Sequence, residues 1–353
     1  MAYATFTGVN DTALHVAVSQ TIIERVVQES LYRDRLGLTQ VFTNDIGAGF
    51  VRVPKIKPAI GNFRKLGATT NGGFFDSSYG TGDTQGLDED GIELLYVYNK
   101  PEIVPMSQAA LSLGGWSRVE QRAKEIGKKI VEGMNAGTMA HQIQAVINAV
   151  IAASGTETNR IFTYTVGTSG DVLAKIRGAI AAVDNGDSTY KTVFNRAGRV
   201  WLLRPTGVQD LFSVGNIIIG GSNFAQEIVQ YGGIDKDTMP DVVTGYVGMI
   251  YGSPAFMAVD FLWTQVEQWL GVSAGYLDNV VGIYAAFEST GRGHAYPEST
   301  KVVDARGGQG LEIQPESNFG VKVFFESGIK LLAKAAVVEG STPLVVLPPG
   351  SQS

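Results

Sequence analysis

The sequence predicts an α+β protein in which helical segments and strand-forming segments are largely separated along the chain. Three observations favour this class: one very long helical pattern, a long glycine-rich loop between two β-prone runs, and a β-rich C-terminal part. Helices and strands do not alternate as they would in a protein built from parallel βαβ units. For 353 residues we therefore expect two sub-domains, or one domain with long excursions.

The composition narrows the classes of function. Hydrophobic residues make up 44% of the chain, and its 44 glycines exceed the usual share of ~7%. A net charge of −6, from 28 basic and 34 acidic residues, argues against a dedicated nucleic-acid binder. Without cysteine the chain has no disulfide or thiolate metal site. It shows neither a secretory signal nor an apolar run of the ~20 residues that a membrane span needs.

Two helices are predicted in the first half of the chain. Thr21 and Glu24 have the spacing of a capping box at the start of a helix over Thr21–Leu36. Apolar residues at three- and four-residue spacing predict a second helix over Ser117–Ala153, charged in its first half and apolar in its second. Because three glycines weaken this pattern, we expect a kink or break near Asn135–Thr138.

An extended ribbon is predicted between these helices. Phe50–Lys57 and Ile92–Tyr98 are β-prone, and the loop at Gly61–Gly91 is rich in glycine. A lone two-stranded ribbon is marginal in water, and a loop of this length is uncommon in a compact domain. We therefore expect the ribbon to lean on a neighbouring copy of the chain.

Charge is distributed unevenly along this ribbon. Five basic residues lie on its outgoing limb: Arg52, Lys55, Lys57, Arg64 and Lys65. Acidic residues lie on or near its return limb: Glu89, Asp90, Glu93 and Glu102. Our hypothesis is that the basic limb contacts an acidic surface of the next subunit. The alternatives are a solvated basic strand and charge pairing within the ribbon.

The second half of the chain is predicted to contain mainly strands. A helix is expected at Asp171–Val183, followed by a buried strand at Arg199–Arg204 and a short helix from Pro205. Between Gly215 and Thr290 we expect strands and glycine-rich turns, with strands at Tyr246–Tyr251 and Val280–Phe287. The last part, Lys301–Val346, is expected to be β-structure with a turn at Ser327–Gly328.

No catalytic or cofactor motif is visible. His15, His141 and His294 lack partners at metal-ligand spacing, so structural or surface roles are expected for all three. The acidic residues Asp83, Asp88, Glu89 and Asp90 suit calcium by chemistry but not by the ligand order of an EF-hand, and a solvated turn is the preferred interpretation. We therefore predict no cofactor, no metal and no enzymatic activity.

The order of elements resembles the major capsid protein fold of tailed phages, herpesviruses and encapsulins, known as the Hong Kong 97-type fold. Three segments carry the resemblance: RVWLLRPTGVQDL at Arg199–Leu211 is similar to the strand, proline and helix after that family's spine helix, GMIYGSPAFMAV at Gly248–Val259 to its strand around a Gly-x-Pro turn, and the segment Phe319–Glu339 to its C-terminal hairpin. The resemblance implies an N-terminal arm and helix at 1–45, an extended ribbon loop at 46–105, a peripheral domain with the spine helix at 106–205, a mainly axial domain at 206–300, and returning strands of the peripheral domain at 301–353.

This resemblance also implies a function. The chain would be a major capsid protein that assembles with itself, as hexamers and pentamers, into an icosahedral virion capsid after synthesis in the host cytoplasm. The shell would enclose double-stranded DNA and touch it non-specifically. Little sequence precedes Thr21, so a separate scaffolding protein is expected, together with portal and decoration proteins. The alternatives are an encapsulin-type compartment, a β-rich hydrolase that uses the acidic loop, and a tail or sheath subunit.

Overall fold

The computed structural model describes residues 40–42, 50–55, 88–93, 96–98, 102–105, 115–153, 159–166, 168–187, 193–210, 246–294, 299–304, 310–337 and 342–349. Its α-helices are α1 (Gly115–Ala152), α2 (Ser169–Asp184), a short segment at 205–210, and α3 (Asp260–Leu270). Its strands are β1 (Gln40–Phe42), β2 (Phe50–Lys55), β3 (Asp88–Glu93), β4 (Tyr96–Tyr98), β5 (Glu102–Pro105), β6 (Ile161–Thr163), β7 (Arg199–Leu203), β8 (Tyr246–Ile250), β9 (Ser253–Met257), β10 (Val280–Ala286), β11 (Thr290–His294), β12 (Ser299–Asp304), β13 (Gly310–Val323) and β14 (Ile329–Ala333). The predicted helix at Thr21–Leu36 lies outside these residues.

The long predicted helix is confirmed as α1. Its 38 residues span about 57 Å at 1.5 Å per residue. The expected break is wrong, because the helix runs continuously through Asn135–Thr138. At Gly137, a Cβ atom would lie 3.2 Å from the ring of Trp269 on α3. The glycine thus allows a close helix–helix contact whose packing offsets its low helix propensity.

A six-stranded mixed sheet forms the centre of the fold, in the order β6-β14-β10-β7-β9-β8. Alternating residues of β7 separate two hydrophobic cores: Val200 and Leu202 pack in the core on the α1 side, and Trp201 and Leu203 in the core that includes α2. Both faces are covered, so β7, β10 and β14 are buried throughout. This explains why RVWLL reads as a continuous apolar run instead of an alternating one.

A second sheet is built around the 14-residue strand β13. Its main path is β1-β11-β13-β12, and β4 and β5 also pair with β13. Ile313 and Phe319 of β13 belong to the same core as α1, so this sheet shares the hydrophobic core of the first. The two sheets are therefore packed around one helix.

The predicted C-terminal hairpin is wrong. β13 and β14 do not pair with each other: β13 pairs with β11, and β14 pairs with β10. Short 3₁₀ turns at Phe287–Ser289 and Glu326–Gly328 carry both chain segments side by side from one sheet to the other. A Cβ atom at Gly328 would lie 2.8 Å from the Cβ atom of Ser289, so the crossing requires glycine there.

Two further expectations are resolved by the strands and helices between 199 and 270. The strand, proline and helix near Pro205 are confirmed, as is the strand expected at Tyr246–Tyr251, which is β8. It forms a hairpin with β9, and the turn residues Tyr251 and Gly252 have φ values of 48° and 82°. The expectation of only strands and turns between Gly215 and Thr290 missed α3. Its buried Leu262, Trp263, Val266, Trp269 and Leu270 have helical spacing, which is a signal the sequence carried.

Candidate assembly surface

The ribbon is present as a two-stranded antiparallel sheet of β2 and β3. The outgoing strand is confirmed, but the return strand begins at Asp88 and is separate from β4, which joins the sheet of β13. Within the described part of the chain, β2 and β3 pair only with each other, so the outer edge of each lacks a strand partner. The expected support is therefore partly internal, because β13 holds the returning strands β4 and β5 at the base of the ribbon.

Two of the five predicted contact residues lie in β2. Arg52 is opposite Gly91 in the strand register, and Lys55 is opposite Asp88. The other three basic residues, Lys57, Arg64 and Lys65, fall outside the described residues. On the return limb, β3 carries Asp88, Glu89, Asp90 and Glu93. One strand of the ribbon is thus basic and the other acidic.

A second candidate contact surface was missed by the sequence analysis. Residues 342–349 lie along α1, where the carbonyl of Leu344 accepts hydrogen bonds from Gln144 at 2.9 Å and Asn148 at 3.0 Å. The N–H of Leu344 also donates to Asn148 at 2.8 Å. Val345 and Leu347 are 60% and 42% exposed. The uncharged run PLVVLPP was the signal for this apolar segment.

A charged cluster joins α2 to the start of β7. The carboxylate of Asp184 accepts hydrogen bonds from Arg196, at 2.6 Å, and from the buried Arg199. Arg199 also donates to the carbonyl of Phe194 at 2.8 Å. The hydrogen bond from Arg196 holds the pKa of Asp184 below its usual value, and Arg199 acts in the same direction. This cluster stabilises the fold and is not arranged to bind a ligand.

A second cluster connects the end of β7 with α3 and the loop that follows it. The guanidinium group of Arg204 is 2.9 Å from Asp260 and 3.3 Å from Asp278, and it lies over the ring of Trp263. Buried Glu267 accepts N–H groups from Gly275 and Leu277. These contacts fix the loop against the helix, which is again a structural role.

The histidines show no arrangement for chemistry in the described part of the chain. His141 lies in α1, where burial lowers its pKa to about 4. His294 lies in β11, and His15 is outside the described residues. Among the residues that the structure describes, no three histidine or acidic side chains are grouped as metal ligands. In the same residues, no helix combines the length and hydropathy of a bilayer span.

Comparison with solved structures identifies the fold. No known protein family and no curated protein matches this sequence. The fold is similar to the capsid of Ralstonia phage GP4, with a TM-score of 0.55 and 9% identity over 90% of this chain and 93% of that chain. It is also similar to the mature capsid of bacteriophage PhiM1, with a TM-score of 0.53 and 11% identity over 86% of this chain and 87% of that chain. The capsid of cyanophage P-SCSP1u is similar with a TM-score of 0.52 and 12% identity, over 84% of this chain and 86% of that chain.

These likenesses establish that the chain has the Hong Kong 97-type capsid protein fold and confirm the predicted α+β class. The likeness extends over most of each chain. The domain boundaries, the five ribbon contacts and the partners named above remain predictions.

Proposed function

We propose that this chain is the major capsid protein of a tailed double-stranded-DNA phage and assembles with itself into an icosahedral shell. The observation that carries the proposal is the similarity to three phage capsids over 84–90% of this chain and 86–93% of theirs. The protein then occurs as hexamers and pentamers in the virion capsid, after synthesis in the host cytoplasm.

The physical properties of the chain suit a container. Closed shells repeat heterologous contacts around five-fold and six-fold axes, and such interfaces often bury several thousand Å². The ribbon of β2 and β3 has open edges in the described structure and suits contacts of this kind. A net charge of −6 lets packaged DNA lie against the wall without a tight, salt-dependent grip.

The proposed partners follow from the same role. A separate scaffolding protein would set the size of the shell, a portal would replace one pentamer, and a decoration protein would bind the assembled surface. Co-expression with neighbouring genes tests each of them, since a missing scaffold is expected to give aberrant or open particles in place of uniform shells.

Electron microscopy and size-exclusion chromatography test the proposal directly. The purified chain is examined alone and with its neighbouring genes co-expressed, and closed particles tens of nanometres across are the expected result. Packaged DNA in particles from infected cells supports a phage capsid, whereas an enclosed enzyme would indicate an encapsulin-type compartment. Tubes would indicate a tail protein. A small oligomer under every condition would contradict the shell.

The ribbon is the part of the chain that we propose to contact the next subunit, through Arg52, Lys55, Lys57, Arg64 and Lys65. The open edges of the β2–β3 sheet and the opposite charge of its two strands support this proposal. The register also places Lys55 opposite Asp88, so pairing within the ribbon is the competing explanation for these charges.

A charge swap separates the two explanations. The double variant Lys55→Asp with Asp88→Lys keeps opposite charges at this cross-strand pair but exchanges which strand carries the positive one. If the basic limb contacts a neighbouring subunit, the swap impairs shell formation as strongly as Lys55→Asp alone. If the pair acts only within the ribbon, the swap restores shell formation that Lys55→Asp has lost. Lys124→Asp, on the exposed half of α1, is the control.

A further inference from the structure

A cleft of about 250 Å³ lies between the last turns of α1, the C-terminal end of α2 and the start of β14. Two cationic side chains line it, Arg160 and Lys330, and so does the acidic side chain of Glu326. Polar uncharged side chains lie beside them: Asn159, Asn185 and Ser327. None of the contacts described above explains why two positive charges converge at this place.

Lys330 is the less usual of the two cations. Its residue is 5% exposed, and its side chain lines the cleft. Burial, together with the charge of Arg160, lowers the pKa of Lys330 to about 8, although Glu326 and Asp187 act in the opposite direction. Burial disfavours the charged form of an ammonium group, so an anion held in the cleft would stabilise the charge of Lys330.

Arg160 has donor capacity to spare. One guanidinium nitrogen lies 3.4 Å from a carboxylate oxygen of Glu326, which is a long and single contact. Asp187, the other carboxylate near Lys330, already accepts a hydrogen bond of 2.8 Å from Ser327. Neither carboxylate therefore satisfies both cations, and the remaining guanidinium nitrogens can bind a further acceptor.

We propose that this cleft binds one small oxyanion, of the size and charge of inorganic phosphate, between the guanidinium group of Arg160 and the ammonium group of Lys330. A guanidinium fork and an adjacent ammonium are the donors that recognise phosphate-type oxygens. The cleft is smaller than the ~300–1,000 Å³ of typical ligand pockets, so a nucleotide does not fit. The nearby carboxylates of Glu326 and Asp187 disfavour an extended polyanion such as DNA.

Reductive methylation followed by peptide mass spectrometry tests the proposal on the wild-type chain in a phosphate-free buffer. Inorganic phosphate is expected to slow the methylation of Lys330 about tenfold near saturation, relative to sodium chloride of equal ionic strength. Lys128, whose side chain is 57% exposed on α1, is the internal control and should react equally fast in both salts.

Substitutions test whether phosphate binds at Arg160 and Lys330. Arg160→Gln should raise the dissociation constant for phosphate about tenfold or more, while Lys128→Gln leaves it unchanged. Phosphate binding is expected to raise Tm, and Lys330→Met should abolish this rise. Its Tm without phosphate should equal or exceed that of the wild type, because the substitution removes a charge from a buried residue. If Lys330→Met does not fold, the phosphate affinity of Arg160→Gln and the methylation rates of the wild type test the proposal.

Two results would overturn the proposal. One is an equal methylation rate of Lys330 in phosphate and in chloride. The other is protection of Lys330 by a short single-stranded oligonucleotide but not by inorganic phosphate, which would assign the cleft to nucleic acid.

Discussion

The central sheet and the ribbon differ in what stabilises them. The six strands of the central sheet lie between α1 and α2, and β10 is buried along its whole length. The ribbon has two strands, with no further strand pairing on either edge in the described structure. A buried layer of this kind stabilises itself within one chain, whereas two strands alone are marginal in water. We therefore expect the first region to be stable within one chain and the second to need contacts beyond its own two strands.

Truncating a central aromatic side chain should have the largest effect on stability. Trp201 is 1% exposed and stacks on Tyr284 with ring centroids 4.4 Å apart. Trp201→Ala is therefore expected to lower the free energy of unfolding by about 3–5 kcal/mol, measured by urea denaturation with circular dichroism. The control Val193→Ala, at a residue 76% exposed, should change it by less than about 0.5 kcal/mol. Similar effects for both variants would contradict a tightly packed central sheet.

A smaller loss of stability is expected from breaking the ion pair that joins Asp184 of α2 to Arg199 of the central sheet. Asp184→Asn leaves the buried Arg199 with a neutral acceptor in place of a carboxylate, which should cost about 1–3 kcal/mol at pH 7. Asp187→Asn on the same connection is a suitable control, because its carboxylate accepts from Ser327 and not from Arg199.

The same substitution predicts a pH dependence. Because the pKa of Asp184 is lowered in the folded protein, its contribution is fully present above the unfolded pKa of ~3.9 and is lost as the pH falls through the lower folded pKa. The unfolding free energies of the wild type and Asp184→Asn should therefore differ at pH 7 and converge below about pH 4. A difference that stays constant down to pH 3 would show that the charge of Asp184 is not responsible.

A still smaller change in stability is expected from substituting alanine for two glycines of α1, which form a matched pair. A Cβ atom at Gly133 meets nothing within 4 Å, so Gly133→Ala should stabilise the protein by roughly 1 kcal/mol through helix propensity. At Gly137 the same gain is opposed by contact with the Trp269 ring, so Gly137→Ala should be neutral or destabilising. Equal stabilisation by both variants, in thermal or urea unfolding, would mean that the contact between α1 and α3 is loose.

The sequence predicted elements whose signals are local. The 38-residue helix, the buried strand RVWLL and the helix after Pro205 all follow from periodicity and from the position of proline. The break expected near Asn135–Thr138 was wrong because the packing of Trp269 against Gly137 depends on a helix more than 100 residues away. Local propensity contains no information about such a partner.

The pairing of the last strands was hard to predict for a related reason. Phe319–Glu339 has the alternation and the Ser-Gly turn of a hairpin, yet β13 and β14 each pair with a strand from another part of the chain. The two candidate sites also differ in how far the sequence alone predicts them. The charges of the ribbon can be read from the sequence, but the meeting of Arg160 with Lys330, which are 170 positions apart, arises only from the tertiary fold.

The smallest effect on the unfolding of the subunit is expected from the ribbon itself. Arg52→Gln with Lys55→Gln removes two charges from β2, and one cross-strand pair is worth only ~0.2–1 kcal/mol even when it forms. Tryptophan fluorescence in urea reports mainly on the core, because three of the four tryptophans, Trp201, Trp263 and Trp269, are buried there. If the ribbon depends on contacts outside its own subunit, the midpoint for the free subunit should stay unchanged while shell formation decreases.

A clear shift of that midpoint would break the comparison, because it would show that the ribbon is energetically coupled to the central sheet through β4, β5 and β13. Lys124→Gln with Lys128→Gln, which removes two charges from the exposed face of α1, is the matched control for both measurements. An equal loss of shell formation in this control would attribute the effect to net charge and not to the ribbon. Loss with the ribbon variant alone, at an unchanged midpoint, would locate the ribbon's stabilising contacts on a neighbouring subunit.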